Sequence, residues 1–277
     1  MTSIEDIVRD KDVSRFAQLG SARYKVAPFK ISSERTIEAF DRLVLDPYCG
    51  QGRGALSGGK HRYRRYDDYK VAFCDGAWRC ELLPHRPFIQ SPKFNWAVGG
   101  VARHLEPLQI NPEPELNSLF IAFGFDTAET FHAKIHQIRV ITTPEIHGVA
   151  VVEGPHRDGH EWQIVAVFRR HNVVGGESQL LPTGGGRPFF ARILVAGEAI
   201  CNQDAAMWHN ATDIFPLDDL QIGYRDIWII ALNRWSHRRY GLTFEGASLQ
   251  DGTADWECKH PEEVRQVAPL HIGNGTV

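Results

Sequence analysis

The chain has no apolar run approaching the ~20 residues that a bilayer-spanning helix requires, and Met1-Thr2-Ser3-Ile4-Glu5-Asp6 holds no basic segment followed by an apolar stretch. It is therefore read as neither exported nor membrane-inserted. Neither sign of charge is in excess: 31 Lys and Arg stand against 34 Asp and Glu, a net charge of -3, scattered along the sequence. That balance leaves no electrostatic footprint for nucleic acid or an anionic membrane. Cysteine is scarce, and Cys49, Cys74, Cys80, Cys201 and Cys258 include no pair at the two-residue spacing of a zinc knuckle or redox dithiol. Free thiols and a cytoplasmic location are expected. Internal repeats and low-complexity segments are absent too.

What is present is ordinary globular composition, 43% hydrophobic and 23% charged over 277 residues, enough for one sizeable core. The nearest approach to a basic run is Lys60-His61-Arg62-Tyr63-Arg64-Arg65-Tyr66. Its aromatic interleaving would suit a nucleic-acid strand, but Asp67 and Asp68 follow at once, and a solvated strand or loop face is the expectation. Helical spacing of three and four links Ile37, Phe40 and Val44 behind Ser33, which can cap. A second helix is expected from Thr127 to Ile141, with Phe131, Ile135 and Ile138 on one stripe and Glu129, Lys134 and Gln137 off it.

Elsewhere the pattern turns to short apolar or alternating runs divided by Gly, Pro and Asn, as antiparallel strands read. Val149 to Val152, Trp162 to Phe168, Gln179 to Leu181, Phe189 to Val195 and Ile227 to Leu232 are the candidate strands. In the second of these Trp162, Ile164, Ala166 and Phe168 share a face and Gln163 is the one polar residue on the other, so burial on both sides is expected. Glycines at 175–176, 184–186 and 197 recur at the rhythm of a β-sandwich or jelly roll. One domain over residues 1–277 is expected, with 1–145 as helical and strand support, 146–235 as a β core and 236–277 as a loosely held tail.

Chemistry enters at Gly154-Pro155-His156-Arg157-Asp158-Gly159. Residues two apart on extended chain project to one side and can grip one ion, with Pro155 fixing the entry and Gly159 allowing a turn. On its own the pair is more often an imidazole–carboxylate contact or a histidine capping a turn. A third ligand from a distant strand is offered by His209, in Met207-Trp208-His209-Asn210. Two imidazoles and a carboxylate leave three octahedral positions open, the arrangement of non-haem iron(II) oxygenases. Arg225, at the start of the last apolar strand, can meet a carboxylate such as that of 2-oxoglutarate bidentately. A hairpin between adjacent strands would bring it to His209; a surface pair with Asp226 or Asp218 is the alternative.

These segments resemble the 2-oxoglutarate and iron(II)-dependent dioxygenases related to bacterial L-isoleucine 4-hydroxylase and fungal pipecolic acid hydroxylase. The resemblance rests on Gly154 to Gly159, Val174-Gly175-Gly176-Glu177-Ser178, His209-Asn210-Ala211-Thr212 and Gly223-Tyr224-Arg225-Asp226. An earlier match is Gln90-Ser91-Pro92-Lys93-Phe94-Asn95 followed by Gly99-Gly100-Val101-Ala102-Arg103. It implies a mainly β, double-stranded β-helix fold of cupin-like jelly-roll type with supporting N-terminal helices. It implies a catalytic metal triad of His156, Asp158 and His209 holding Fe(II), 2-oxoglutarate held by Arg225, and O2 as the second co-substrate. Many relatives carry Ser two residues after the arginine; Ile227 stands there, so the second carboxylate anchor is unassigned. Asp158 fills the place a halide would need, which favours hydroxylation over halogenation.

The implied reaction is hydroxylation of an unactivated carbon of a free L-amino acid, with release of succinate and CO2. Arg103, Arg169 or Arg170 would then meet the substrate's α-carboxylate. Two other readings are a dioxygenase acting on a peptidyl or other macromolecular substrate, and a non-catalytic cupin-like metal-binding module. No nucleic-acid or membrane partner is expected, and the oligomeric state is unassigned, a homodimer being the one form considered.

Overall fold

The computed structural model describes residues 23–250. Met1 to Asp6, Cys258 and the stretch Asp251 to Val277 lie outside them.

In chain order the elements are β1 (Tyr24–Pro28), α1 (Glu34–Glu38) running into a 3-10 turn at Ala39–Arg42, β2 (Val44–Leu45), β3 (Arg62–Cys74), β4 (Ala77–Leu82) and α2 (Glu113–Phe123). Then come β5 (Thr130–Thr142), β6 (Trp162–His171), β7 (Val173–Gly175), β8 (Ser178–Leu181), β9 (Phe190–Arg192) and β10 (Glu198–Gln203). The series closes with β11 (Trp208–Ala211), β12 (Ile214–Pro216), β13 (Gly223–Arg234) and α3 (Leu242–Leu249). An antiparallel eight-stranded sheet runs β1-β10-β6-β13-β5-β3-β2, with β4 on β3; the smaller sheets are β11-β8-β9 and β12-β7. This is the expected mainly β jelly roll. No helix among the described residues is long and apolar enough to cross a membrane.

Alternation along the long strands divides the large sheet into two faces. Phe131, Ala133 and Ile135 of β5, Trp228, Ile230 and Leu232 of β13, and Trp162, Ile164, Ala166 and Phe168 of β6 pack on α2 through Leu116, Leu119, Phe120 and Phe123. Each such fully buried large side chain contributes roughly 1.5–3 kcal/mol. The opposite face turns inward to the small sheets, where Ile138, Val140, Val167 and Ile227 meet Leu180, Phe190 and Ile214. The expected aromatic face of β6 is therefore core, while Gln163 faces the interior of the sandwich.

The stretch Thr127 to Ile141, read as a helix, is from Thr130 onward strand β5, which pairs with β3 and β13. Phe131, Ile135 and Ile138 fit helical spacing, but the residues between them are buried as well, Lys134 at 3% and Gln137 at 0% exposure. A strand buried on both faces loses its polar alternation, so periodicity alone does not separate it from a helix. The helix behind Ser33 does form, and the Ser33 hydroxyl accepts from the Thr36 amide at 3.4 Å, but Val44 belongs to β2. Val149 to Val152 is not a strand. Its carbonyls go to Arg53 instead, whose amide donates to Val152 at 3.0 Å and whose guanidinium donates to Val151 at 3.1 Å.

The basic run is likewise not solvated: Arg62, Arg64 and Arg65 are all buried, because β3 lies between β5 and β2 and directs Arg62 and Arg64 inward. Helix α2 has acidic Glu113 and Glu115 in its first turn and ends on Gly124 at φ 71°, whose amide reaches the Phe120 carbonyl. Its acidic first turn and its terminal glycine are start and stop signals already present in the sequence.

Candidate metal centre

His156 and His209 are brought together by their own backbones. The His156 amide donates to the His209 carbonyl at 3.1 Å and the His209 amide donates back at 2.9 Å, an isolated antiparallel bridge at the end of β11. Strand β11 is held in turn by β8, with His209 opposite Leu180. Asp158 follows in a turn whose amides converge on one buried carboxylate. Asp204 accepts from the amides of Asp158 at 3.1 Å, Gly159 at 2.6 Å and His160 at 3.0 Å. Gly159 has φ 82°, and a Cβ there would stand 2.4 Å from the Phe94 ring, so only glycine lets the turn pack this closely.

The donor atoms of His156, Asp158 and His209 lie within 4.8 Å of one another. Nε2 of His156 is 3.2 Å from Nε2 of His209 and 3.3 Å from Oδ1 of Asp158, and His209 Nε2 is 3.5 Å from Asp158 Oδ2. Three ligands on one octahedral face, with bonds of about 2.1 Å, stand about 3 Å apart. The donor set and its spacing thus fit a single ion with adjacent positions left open. Nδ1 of His156 is 2.8 Å from the Gly154 carbonyl, which fixes the tautomer that presents Nε2 to a metal. Burial opposes a charged His156 imidazole, yet contact with Asp158 raises its pKa to about 9; the same contact holds the buried Asp158 carboxyl far below its usual range.

The surrounding side chains orient the carboxylate. Gln90 donates to Asp158 Oδ1 at 2.9 Å and Gln163 donates to Oδ2 at 2.7 Å. Gln90 is held by Asn95 at 3.0 Å and by Arg103 at 2.6 Å, so the early Gln90 to Asn95 and Arg103 segments belong to the site. Gln163 was legible as the lone polar residue on its face. Asp204 carried no signal of its own beyond a position shortly before His209.

Arg225 lies in the cavity the triad lines, at 1% exposure, with Nε and Nη2 lacking a hydrogen-bond partner. Burial and the neighbouring Arg170 lower its pKa to about 9. The surface pair with Asp226 does not form, since Asp226 bonds Arg139 and Arg169 on the opposite face. Nor does a hairpin join it to His209: β11 and β13 belong to different sheets and face each other across the sandwich. Gly176 makes room for this arginine, as its Cβ would stand 3.1 Å from Arg225 Cδ. Of the other arginines considered, Arg103 lines the cavity, Arg169 points away to Asp226 and Asp41, and Arg170 donates to the Gly175 carbonyl at 2.6 Å. Arg62, Arg64, Glu153 and His136 also line the cavity and were not anticipated. Ile227 lies there too and offers no second polar anchor.

A family model described as 2OG-Fe dioxygenase matches residues 37–231. Among solved structures, a bsmA homologue from Methylobium petroleophilum PM1 superposes with a TM-score of 0.59 at 24% identity, over 72% of this chain and 80% of that one. IDO from Bacillus thuringiensis gives 0.53 at 15% identity, over 80% of this chain and 93% of that one. An Fe(II)/α-ketoglutarate-dependent dioxygenase, TqaL, gives 0.51 at 15% identity, over 80% and 85%. No curated protein matches by sequence.

Proposed function

The chain belongs to the 2OG-Fe dioxygenase family, and on that premise we propose that it hydroxylates an unactivated carbon of a free L-amino acid, releasing succinate and CO2. The family implies Fe(II), 2-oxoglutarate and O2, and His156, Asp158 and His209 form the candidate iron site. Bound there, iron supplies the oxidising power for attack on a C–H bond. The residues of the chain hold, orient and desolvate. Arg225 takes the distal carboxylate of 2-oxoglutarate, Gln90 and Gln163 keep both oxygens of Asp158 in place, and Ile138, Val165, Ile200 and Ile229 keep water from the cavity.

The observation that carries the reading is a three-donor cluster and an unpaired buried guanidinium lining one cavity. A structural metal site fills its coordination with protein ligands, whereas three donors beside a carboxylate-binding arginine suit a metal that must admit co-substrates. For the amino acid, support comes from the resemblance to L-isoleucine and pipecolic acid hydroxylases. Incubating the protein with Fe(II), ascorbate, 2-oxoglutarate and a panel of L-amino acids tests the reading by mass spectrometry. A product heavier by one oxygen, with succinate formed in equal amount, is expected. Succinate formation driven by a peptide and by no free amino acid would replace it with the macromolecular reading.

A further inference from the structure

We infer that Arg64, with Arg103 beside it, receives the α-carboxylate of the amino acid and that Glu153 receives its ammonium group; this rests on the amino-acid reading above. The cavity contains two separate groups of cations. In the pairing of β3, β5 and β13, Arg62 shares a cross-strand row with Val140 and Arg225, and Arg64 shares the next inward-facing row with Ile138 and Ile227. Two strand spacings and one pleat repeat put the backbones of Arg64 and Arg225 about 12 Å apart. Their electrostatic neighbours differ accordingly. Arg225 feels Arg170, whereas Arg103 feels Arg64, Arg62, Glu153 and Asp46.

Within the second group only Arg62 has a full partner. Its Nε donates to Asp46 Oδ2 at 3.0 Å, while the Tyr48 amide occupies Oδ1 at 3.0 Å. Arg64 reaches the same carboxylate only at 3.6 Å, beyond hydrogen-bond distance, and its Nε and Nη2 are buried without a hydrogen-bond partner. Nε of Arg103 is in the same state. The Phe88 ring supports both guanidinium groups, at 5.1 Å from Arg64 and 4.2 Å from Arg103. Buried donors of this kind are costly unless a ligand completes them, and a carboxylate matches their planar forks.

Glu153 supplies the complementary charge in the same cavity. The Asn95 side-chain amide donates to its Oε1 at 2.6 Å, and Glu153 is an electrostatic neighbour of Arg62, Arg64 and Arg103. Two incompletely bonded guanidinium groups beside one carboxylate suit a zwitterionic head group. Arg103 is linked through Gln90 to Asp158, so a head group docked there lies two side chains from the candidate metal ligands and leaves the substrate's side-chain carbons to reach the iron.

The test combines substrate and protein changes. Wild type, Arg64→Met, Arg64→Lys and Arg225→Met are assayed with the twenty L-amino acids and with their decarboxylated amines. Affinity for 2-oxoglutarate is read separately from the visible charge-transfer band of the anaerobic iron complex, and folding from thermal melting. Wild type should oxidise at least one amino acid and none of the amines. Arg64→Met should raise the KM for that amino acid roughly 10- to 100-fold, as expected for lost charge-assisted hydrogen bonds, with unchanged 2-oxoglutarate affinity. Arg64→Lys should recover part of the loss, and Arg225→Met should show the reverse pattern. Oxidation of the amino acid by wild type with an unchanged KM in Arg64→Met, or equal oxidation of the amine, overturns this inference alone. A charge-transfer band without oxidation of any amino acid overturns the amino-acid reading and this inference with it. Should Arg64→Met fail to fold, the comparison of acid with amine and the Arg64→Lys variant decide.

Discussion

Replacing Arg225 by Met separates a ligand-binding cation from a structural one. The side chain is 1% exposed, two of its guanidinium nitrogens have no hydrogen-bond partner, and Arg170 is a second cation beside it. Burial and that repulsion bring its pKa from 12.5 down to about 9, so the charged form destabilises the ligand-free fold by several kcal/mol. Methionine fills a similar length without charge, and the ligand-free Tm should stay level or rise. Binding should move the other way. Hydrogen bonds to a charged group are worth about 1.5–3 kcal/mol, so loss of the fork should raise the Kd for 2-oxoglutarate roughly 10- to 100-fold or more. Anaerobic titration of the iron-loaded variant measures the Kd, and calorimetry measures the Tm. A Kd within twofold of wild type, or a loss of several kcal/mol of stability, would refute the assignment of Arg225 to the co-substrate.

Three further outcomes are expected. Gly159→Ala places a Cβ 2.4 Å from the Phe94 ring at φ 82°, and should cost about 2 kcal/mol or more by chemical denaturation while weakening metal binding at the adjacent Asp158. Asp204→Asn removes the charge that gathers the amides of Asp158, Gly159 and His160, and should lower metal affinity roughly 10- to 100-fold by calorimetry with the fold intact. For Asp46, burial raises its pKa but Arg62 and Arg64 hold it at about 2, below the 3.8 of an unperturbed aspartate. A depressed carboxylate contributes stability above its unfolded pKa and loses it as pH falls through the folded one. About 2 kcal/mol should therefore disappear between about pH 4 and pH 2, and Asp46→Asn should flatten that limb in acid titration of stability.

The metal cluster was the most legible part of the molecule, because its residue types are few and its spacing local. His156 and Asp158 lie two apart, and His209 sits on a short strand. The fold class was legible from the glycine rhythm, but the sheet's centre was not. Thr130–Thr142 is buried on both faces, Lys134 and Gln137 included, and so imitates helical spacing, while Arg62–Cys74 directs Arg62 and Arg64 into the cavity and so imitates a solvated basic face. Interior polar residues are intelligible only once their partners are known: Gln163 with Asp158, Gln90 with Arg103, Arg62 with Asp46. These pairs lie 5, 13 and 16 residues apart, spacings that match no helix or strand period, so no local rule brings them together. The same is true of Arg225, whose neighbourhood is set by opposing sheets rather than by a hairpin.

The mixture of satisfied and unsatisfied buried groups is informative about function. Asp226, although fully buried, is bonded by both Arg139 and Arg169, and it needs no ligand. Arg64, Arg103 and Arg225 are comparably buried and incompletely bonded, and all three line the same cavity as the candidate iron site. Retaining such costly groups is consistent with binding sites for anions rather than with support of the fold.

On the proposed reading His156, Asp158 and His209 would hold an iron that is chelated by 2-oxoglutarate. Anaerobic titration of the metal-stripped protein with Fe(II) at saturating 2-oxoglutarate, in wild type and in His209→Ala, tests it most directly. One iron per chain with a visible charge-transfer band in wild type, and loss of both in His209→Ala, is the predicted result. Absence of the band in wild type, or an undiminished band in the variant, would contradict it.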